Sequence, residues 1–194
     1  MNLLLFKERY FKNSIYLLFL SSILYYSGLV LYPIYFLNLM NYSFILSSLI
    51  IAIHGIGTLI GRKMMIPLIQ NYSQNKVIYL CIILSAFSSI FMLKFFSLNY
   101  YQYIIAIVAF IRGFSLGILT ILSMSDAYRN IEIEQIANAS AISRMATYLG
   151  ATVGFSLIGV MISMNDPHYL YAHLCIIMTS LLSLYPYLCI KKIE

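Results

Sequence analysis

Apolar residues fill this chain in six long runs separated by short polar connections, at 14–38, 44–64, 77–96, 102–123, 140–164 and 169–190. Each run is about twenty residues or more. At a rise of ~1.5 Å per residue, a helix of that length matches the ~30 Å hydrocarbon core of a bilayer. The pattern predicts an all-α fold: a polytopic membrane helix bundle of six transmembrane helices, with residues 1–194 forming one domain. The first run is too long for a signal-peptide core and holds no small-residue cleavage pattern, so it reads as a retained helix.

Composition points the same way. With 62% hydrophobic residues, 9% charged residues and a mean hydropathy of +0.88, no soluble fold could hide so much apolar surface. The formal charge of +6 invites a nucleic-acid reading, but its distribution argues for topology instead. Lys7, Arg9 and Lys12 precede the first run, while Arg62, Lys63 and Lys76 gather around the second connection. Arg129 and Arg144 flank the fourth connection, and Lys191 and Lys192 follow the last run. The other connections carry only Lys94. Positive residues collecting on alternate sides place both termini in the cytoplasm. The expected partner is the lipid bilayer, not nucleic acid. Trp is absent, so the interfacial anchors fall to Tyr10, Tyr16, Tyr42, Tyr100, Tyr101, Tyr169 and Tyr171, all near run ends.

Within the runs, a few positions break the apolar pattern. Tyr25, Gly28, Tyr32 and Tyr35 recur at three- and four-residue steps and share one face of the first helix, with Pro33 expected to bend it. Tyr hydroxyls lack partners in lipid, so this face should turn toward the bundle or a wet cavity, although ordinary helix packing explains it equally well. Arg112 sits near mid-membrane, ~16 Å from the outer end of the fourth run. An Arg at that depth costs several kcal/mol unless it meets water, a partner or a ligand, which makes it a functional candidate. The competing explanation is an Arg satisfied by backbone carbonyls. His54 reads as a neutral imidazole hydrogen-bonded between helices, with a place on a substrate pathway as the second reading. Small residues form close-packing pairs: Gly57 and Gly61, Gly113 and Gly117, and a ridge of Ala146, Gly150 and Gly154, with Gly159 beyond.

The six acids are Glu8, Asp126, Glu132, Glu134, Asp166 and Glu194, and none lies deep in a run. Proton-driven transport ordinarily needs an embedded carboxylate, so only His54 could titrate near neutrality at depth. Cys81, Cys175 and Cys189 have neither zinc nor disulfide spacing and read as small core residues. No cofactor or metal is expected. No catalytic motif or paired intramembrane acids appear, so an enzyme is not expected either.

Three stretches carry a family resemblance. Leu3-Leu4-Leu5-Phe6-Lys7-Glu8-Arg9-Tyr10-Phe11 resembles a lead-in of the form L-x-L-F-x-x-x-x-F. Ile51 to Val77 resembles a Gly-rich second helix with its tight loop, where Pro67 to Lys76 stands in place of P-L-A-D-R-x-G-R-R with Gln70, Asn71 and Ser73 at its acidic, basic and Gly positions. The third stretch joins Arg112-Gly113-Phe114-Ser115-Leu116-Gly117, which resembles R-G-x-G-x-G, to Gln135 to Gly159, where Ala137-Asn138-Ala139-Ser140-Ala141-Ile142 and Arg144 to Gly154 resemble A-x-A-S-A-x-x-x-x-R-x-L-G-x-x-x-G. Together these resemble the C-terminal six-helix half of a major facilitator superfamily transporter, in the fourteen-helix EmrB/QacA-like multidrug:proton antiporter branch.

The resemblance implies half of a major facilitator fold in a bacterial cytoplasmic membrane. It implies a truncated or split exporter of amphipathic small molecules, with Arg112, Tyr25, Tyr32, Tyr35 and His54 on the substrate pathway. In such carriers the first and fourth helices line the cavity, the third and sixth face lipid, and the two halves rock around a midplane site. The missing proton-coupling acids and second cavity wall would come from a complementary N-terminal half or a second copy. The departures in the Pro67–Lys76 loop remove the charge pairs that control closure in the family. The alternative is a membrane assembly subunit, or an inactive remnant, packing through Gly113, Gly117, Gly150 and Gly154.

Overall fold

The computed structural model describes residues 3–38, 41–95 and 102–163, together with Ile176, Ile177, Ser180 and Leu184. The sixth expected helix, apart from those four helical residues, lies outside the described residues. So do Cys175, Cys189, Tyr100, Tyr101, Tyr169, Tyr171, Lys191 and Lys192. Among the described residues the chain is all helical and contains no strand. Five helices run Arg9–Asn38 (α1), Phe44–Asn71 (α2), Gln74–Phe95 (α3), Gln102–Ala127 (α4) and Ile136–Ser163 (α5). Short 3-10 turns at Leu3–Lys7 and Ile133–Gln135 lead into α1 and α5. All five helices are long and apolar enough to cross a bilayer, which marks an integral membrane protein.

α2 runs further than its apolar pattern predicts. The tight loop expected from Pro67 is helical to Asn71, and only Tyr72 and Ser73 separate α2 from α3. A proline removes one intrahelical bond, and a helix end leaving the bilayer can give that group to water. The Asn71 side-chain amide donates to the Pro67 carbonyl at 3.0 Å, and the Tyr72 N–H to Leu68 O closes the last turn. At the other end, Ser43 caps the helix by accepting from the Leu46 N–H at 3.3 Å. Asn41, just before it, adopts a positive φ of 50°, a conformation Asn tolerates better than most residues.

The helices pair through their small residues. A Cβ on Gly57 or Gly61 would run into the backbone of Phe110 and Phe114, and one on Gly113 into the His54 carbonyl. One on Gly117 would stand 2.6 Å from Thr58 O. The two glycine pairs therefore belong to one seam, along which α2 and α4 run parallel with their backbones touching. The α5 ridge serves a second seam: Cβ atoms on Gly150 and Gly154 would lie 2.7 Å from Phe19 O and 2.9 Å from Ile23 O of α1. Gly159 meets nothing within 4 Å among the described residues. α4 also packs on α3 and α1, which places it at the centre of the bundle.

Cationic residues gather at one end, where α1, α3 and α5 begin and α2 and α4 finish. There the Gln74 amide donates to Asp126 Oδ1 at 2.7 Å, and Arg129 donates to the Tyr10 hydroxyl at 3.2 Å. The segment before α1 folds across this basic end. Leu5, Phe11 and Ile15 join Ala127, Ala139, Ile142 and Ala146 in a small apolar cluster of their own.

Candidate functional site beneath a buried arginine

Ten residues into α4, Arg112 reaches the middle of the bundle and is only 1% exposed. Its Nη1 donates to Ser89 Oγ of α3, and its Nη2 donates to Leu24 O of α1 at 2.9 Å. The guanidinium lies over the Tyr32 ring, 5.2 Å from its centroid. Gly28 makes the room: a Cβ there would stand 3.1 Å from Nη2 and from the edge of Tyr32. Nε is left without a hydrogen-bond partner among the described residues. Placing an Arg at the bilayer centre costs about 2.5–3.5 kcal/mol on insertion scales. Two hydrogen bonds from a charged donor, worth ~1.5–3 kcal/mol each, and a desolvated cation–π contact offset that cost. Arg112 thus ties α1, α3 and α4 together with neutral partners.

His54 stands beside this group on α2. Its Nδ1 is 3.2 Å from Ala109 O of α4, and its ring lies 5.6 Å from that of Tyr25. Nε2 has no partner among the described residues. An imidazole hydrogen-bonded between helices is the arrangement its position in the sequence implied. Most buried serines resolve their polarity locally, whereas the Ser14 and Ser47 hydroxyls have no partner among the described residues. Ser21, Ser22, Ser27, Ser85, Ser88, Ser115, Ser123 and Ser143 each donate to a carbonyl three or four residues back on their own helix. Ser89 does the same to Ser85 O at 2.8 Å, which leaves its lone pairs for Arg112.

Between Arg112 and the basic end, α1, α2, α4 and α5 enclose a recess of about 220 Å³. Ser22, Tyr25, Tyr26, Arg62, Thr120 and Thr147 supply its polar lining, and Leu18, Ile121 and Met124 its apolar floor. It extends from Met124, about one turn from the end of α4, to Tyr25, about halfway along α1. The hydrogens of three lining hydroxyls are committed to carbonyls of their own helices: Ser22 to Leu18 O at 2.7 Å, Thr120 to Leu116 O at 2.9 Å, and Thr147 to Ser143 O at 3.0 Å. The Arg62 guanidinium and the Tyr25 and Tyr26 hydroxyls have no hydrogen-bond partner among the described residues. Every uncommitted hydrogen in the recess therefore belongs to one cation and two phenols.

The outer face of α3 is a contrast. Tyr79, Leu80, Ile83, Phe87 and Ile90 are exposed there, an almost wholly apolar surface suited to lipid.

Of the candidates singled out in the sequence, Tyr25 lines the recess, while Tyr32, Gly28 and Arg112 form one group behind it. Tyr35 packs partly buried at the edge of the core beside Phe36. In the sequence Arg62 has the position of a topology charge, and Tyr26, Thr120 and Thr147 carry no distinguishing pattern. No motif marks these four, because only the packing of four helices brings them together. No protein-family model matches the chain, and no curated protein is significantly similar to it.

Proposed function

We propose that this chain is one six-helix bundle of an alternating-access membrane transporter of the major facilitator type, and that the recess is its half of the substrate cavity. A second bundle, on the same or another polypeptide or supplied by a second copy, completes the cavity. The observation that carries this reading is the recess itself. A polar lining with an uncommitted guanidinium, reaching the middle of the bundle, is costly against lipid and calls for water or protein cover.

Three features support it. α1 and α4 supply most of the lining, as the resemblance implies for the first and fourth helices of a half. α3 turns an apolar face outward, as expected of a third helix. α2 and α5 are the least buried of the five spans and flank the recess, so they offer the surface a second bundle would cover. The positive-inside rule puts the basic end and both termini in the cytoplasm, so the recess opens inward. Arg112 acts in this reading as a positioning residue that holds Tyr32 and the α1–α4 contact above the cavity. Any proton-coupling carboxylate belongs to the second bundle, since no acid of this chain falls in its six apolar runs and Asp126, in the last turn of α4, sits at the basic end. An exporter of the multidrug branch fits this arrangement. The competing assembly subunit would offer Gly113, Gly117, Gly150 and Gly154 to a partner, but the α2–α4 and α1–α5 seams occupy all four.

Thiol accessibility tests the wet recess. With the three native cysteines replaced by alanine, Thr120→Cys and Thr147→Cys should react with a membrane-impermeant maleimide in inverted vesicles, and Phe87→Cys should not. If the two recess positions are as unreactive as Phe87→Cys, the recess lies in lipid and the carrier reading falls.

A further inference from the structure

We propose that the recess binds a monoanionic amphiphile: an organic carboxylate or sulfonate with an aromatic or alkyl body, anchored by Arg62. This names the substrate class of the cavity described above and rests on that reading. The chemistry of the lining carries it. Arg62 is the only charged residue among the lining residues, and it has no ion-pair or hydrogen-bond partner among the described residues. The other uncommitted hydrogens, on the Tyr25 and Tyr26 hydroxyls, are donors suited to the same anionic group.

A cationic ligand would meet the opposite conditions. No Asp or Glu occurs in any of the six apolar runs, the sixth at 169–190 included, so no part of this bundle supplies a counter-charge at that depth. Arg62 would repel the ligand across a poorly screened distance. The body of the ligand has its own place. Leu18, Ile121 and Met124 give an apolar floor, and the Tyr25 and Tyr26 rings give aromatic faces. A guanidinium at one side of an apolar slot selects for charge and amphipathic shape rather than for one compound.

Two sources could present such a ligand: a free organic anion or the headgroup of an anionic phospholipid. The test uses the full chain in phosphatidylcholine nanodiscs, with equilibrium dialysis corrected for empty discs. The probes are 8-anilinonaphthalene-1-sulfonate and its uncharged analogue N-phenyl-1-naphthylamine. The sulfonate should bind saturably, and Arg62→Gln should weaken it by about ten- to a hundredfold, the loss expected for a charge-assisted contact. Arg62→Lys should keep most of the affinity. Lys63→Gln, one residue along α2 and outside the lining, should change nothing, and the uncharged probe should not respond to Arg62→Gln.

Repeating the titration in phosphatidylglycerol discs separates the sources. An unchanged sulfonate affinity marks a free solute as the ligand. Displacement, with phosphatidylglycerol retained in native mass spectra of the wild type but not of Arg62→Gln, marks the lipid. Equal sulfonate binding by wild type and Arg62→Gln would overturn the proposal. So would saturable binding of tetraphenylphosphonium that Arg62→Gln strengthens. If either is seen while Thr120→Cys and Thr147→Cys still label, the anion assignment falls and the cavity stands; if labelling also fails, both fall.

Discussion

Gly117→Ala would force apart the seam on which the bundle is built, and the geometry gives the size of the effect. The added Cβ would stand 2.6 Å from Thr58 O and 2.9 Å from Thr58 Cα, both backbone atoms with no rotamer in which to retreat. Ordinary contact needs ~3.5 Å, so α2 and α4 must separate locally by ~0.9 Å. A gap of that order removes a quarter to a half of each dispersion contact along the seam. Overpacking of this kind typically costs ~1–3 kcal/mol. Gly159→Ala is the internal reference. It makes the same chemical change at a helical position where nothing lies within 4 Å among the described residues, so it shares the gain in helix propensity without the clash. The buried Cys81 thiol, 2% exposed on α3, reports opening when Cys175 and Cys189 are replaced by alanine. In mixed micelles Cys81 should react with a small maleimide about 5- to 150-fold faster in Gly117→Ala than in Gly159→Ala. Equal rates would refute the claim that α2 and α4 touch backbone to backbone.

Three further outcomes follow from the Arg112 group and are readable by the same Cys81 protection assay. Ser89→Ala strands a guanidinium N–H in the core and should destabilise the bundle by ~1.5–3 kcal/mol. Arg112→Lys should also destabilise it, because one ammonium cannot bond Ser89 and Leu24 O while stacking on Tyr32. Gly28→Ala should be destabilising in the wild type but milder in an Arg112→Leu background, where one of the two groups its Cβ crowds is gone and only Tyr32 remains; a double-mutant cycle showing simple additivity would count against the Arg112 contact.

The spans were legible in the sequence because lipid imposes one requirement on every residue of a crossing helix, and hydropathy reports it directly. α1, α3, α4 and α5 begin and end within a few residues of the expected bounds. α2 outruns its apolar pattern because Arg62 and Lys63 look like the end of a span, whereas its hydrogen bonds continue past Pro67 to Asn71. The glycine pairs were visible as a device but not as a pairing. Spacing says that a backbone can approach, and only tertiary packing decides that Gly57 and Gly61 meet Phe110 and Phe114. Arg112 stood out because its depth is unusual, but its partners are a serine hydroxyl and a helical carbonyl, groups that carry no signal in sequence. Arg62 was hidden for the opposite reason: beside Lys63, near a basic connection, it looks like every other topology charge.

Alternating access is the central claim, and Tyr25 is the residue on which to test it, since it lines the recess about halfway along α1 and touches His54 above it. Tyr25→Cys, made in a chain with no other cysteine, can be challenged in native membranes with an impermeant maleimide added outside intact cells, and added outside inverted vesicles to reach the cytoplasmic face. The account predicts reaction from both sides, because a midplane position in a carrier is exposed to each in turn. Reaction from one side only, or from neither, would mean that the bundle holds a fixed conformation and does not transport by alternating access.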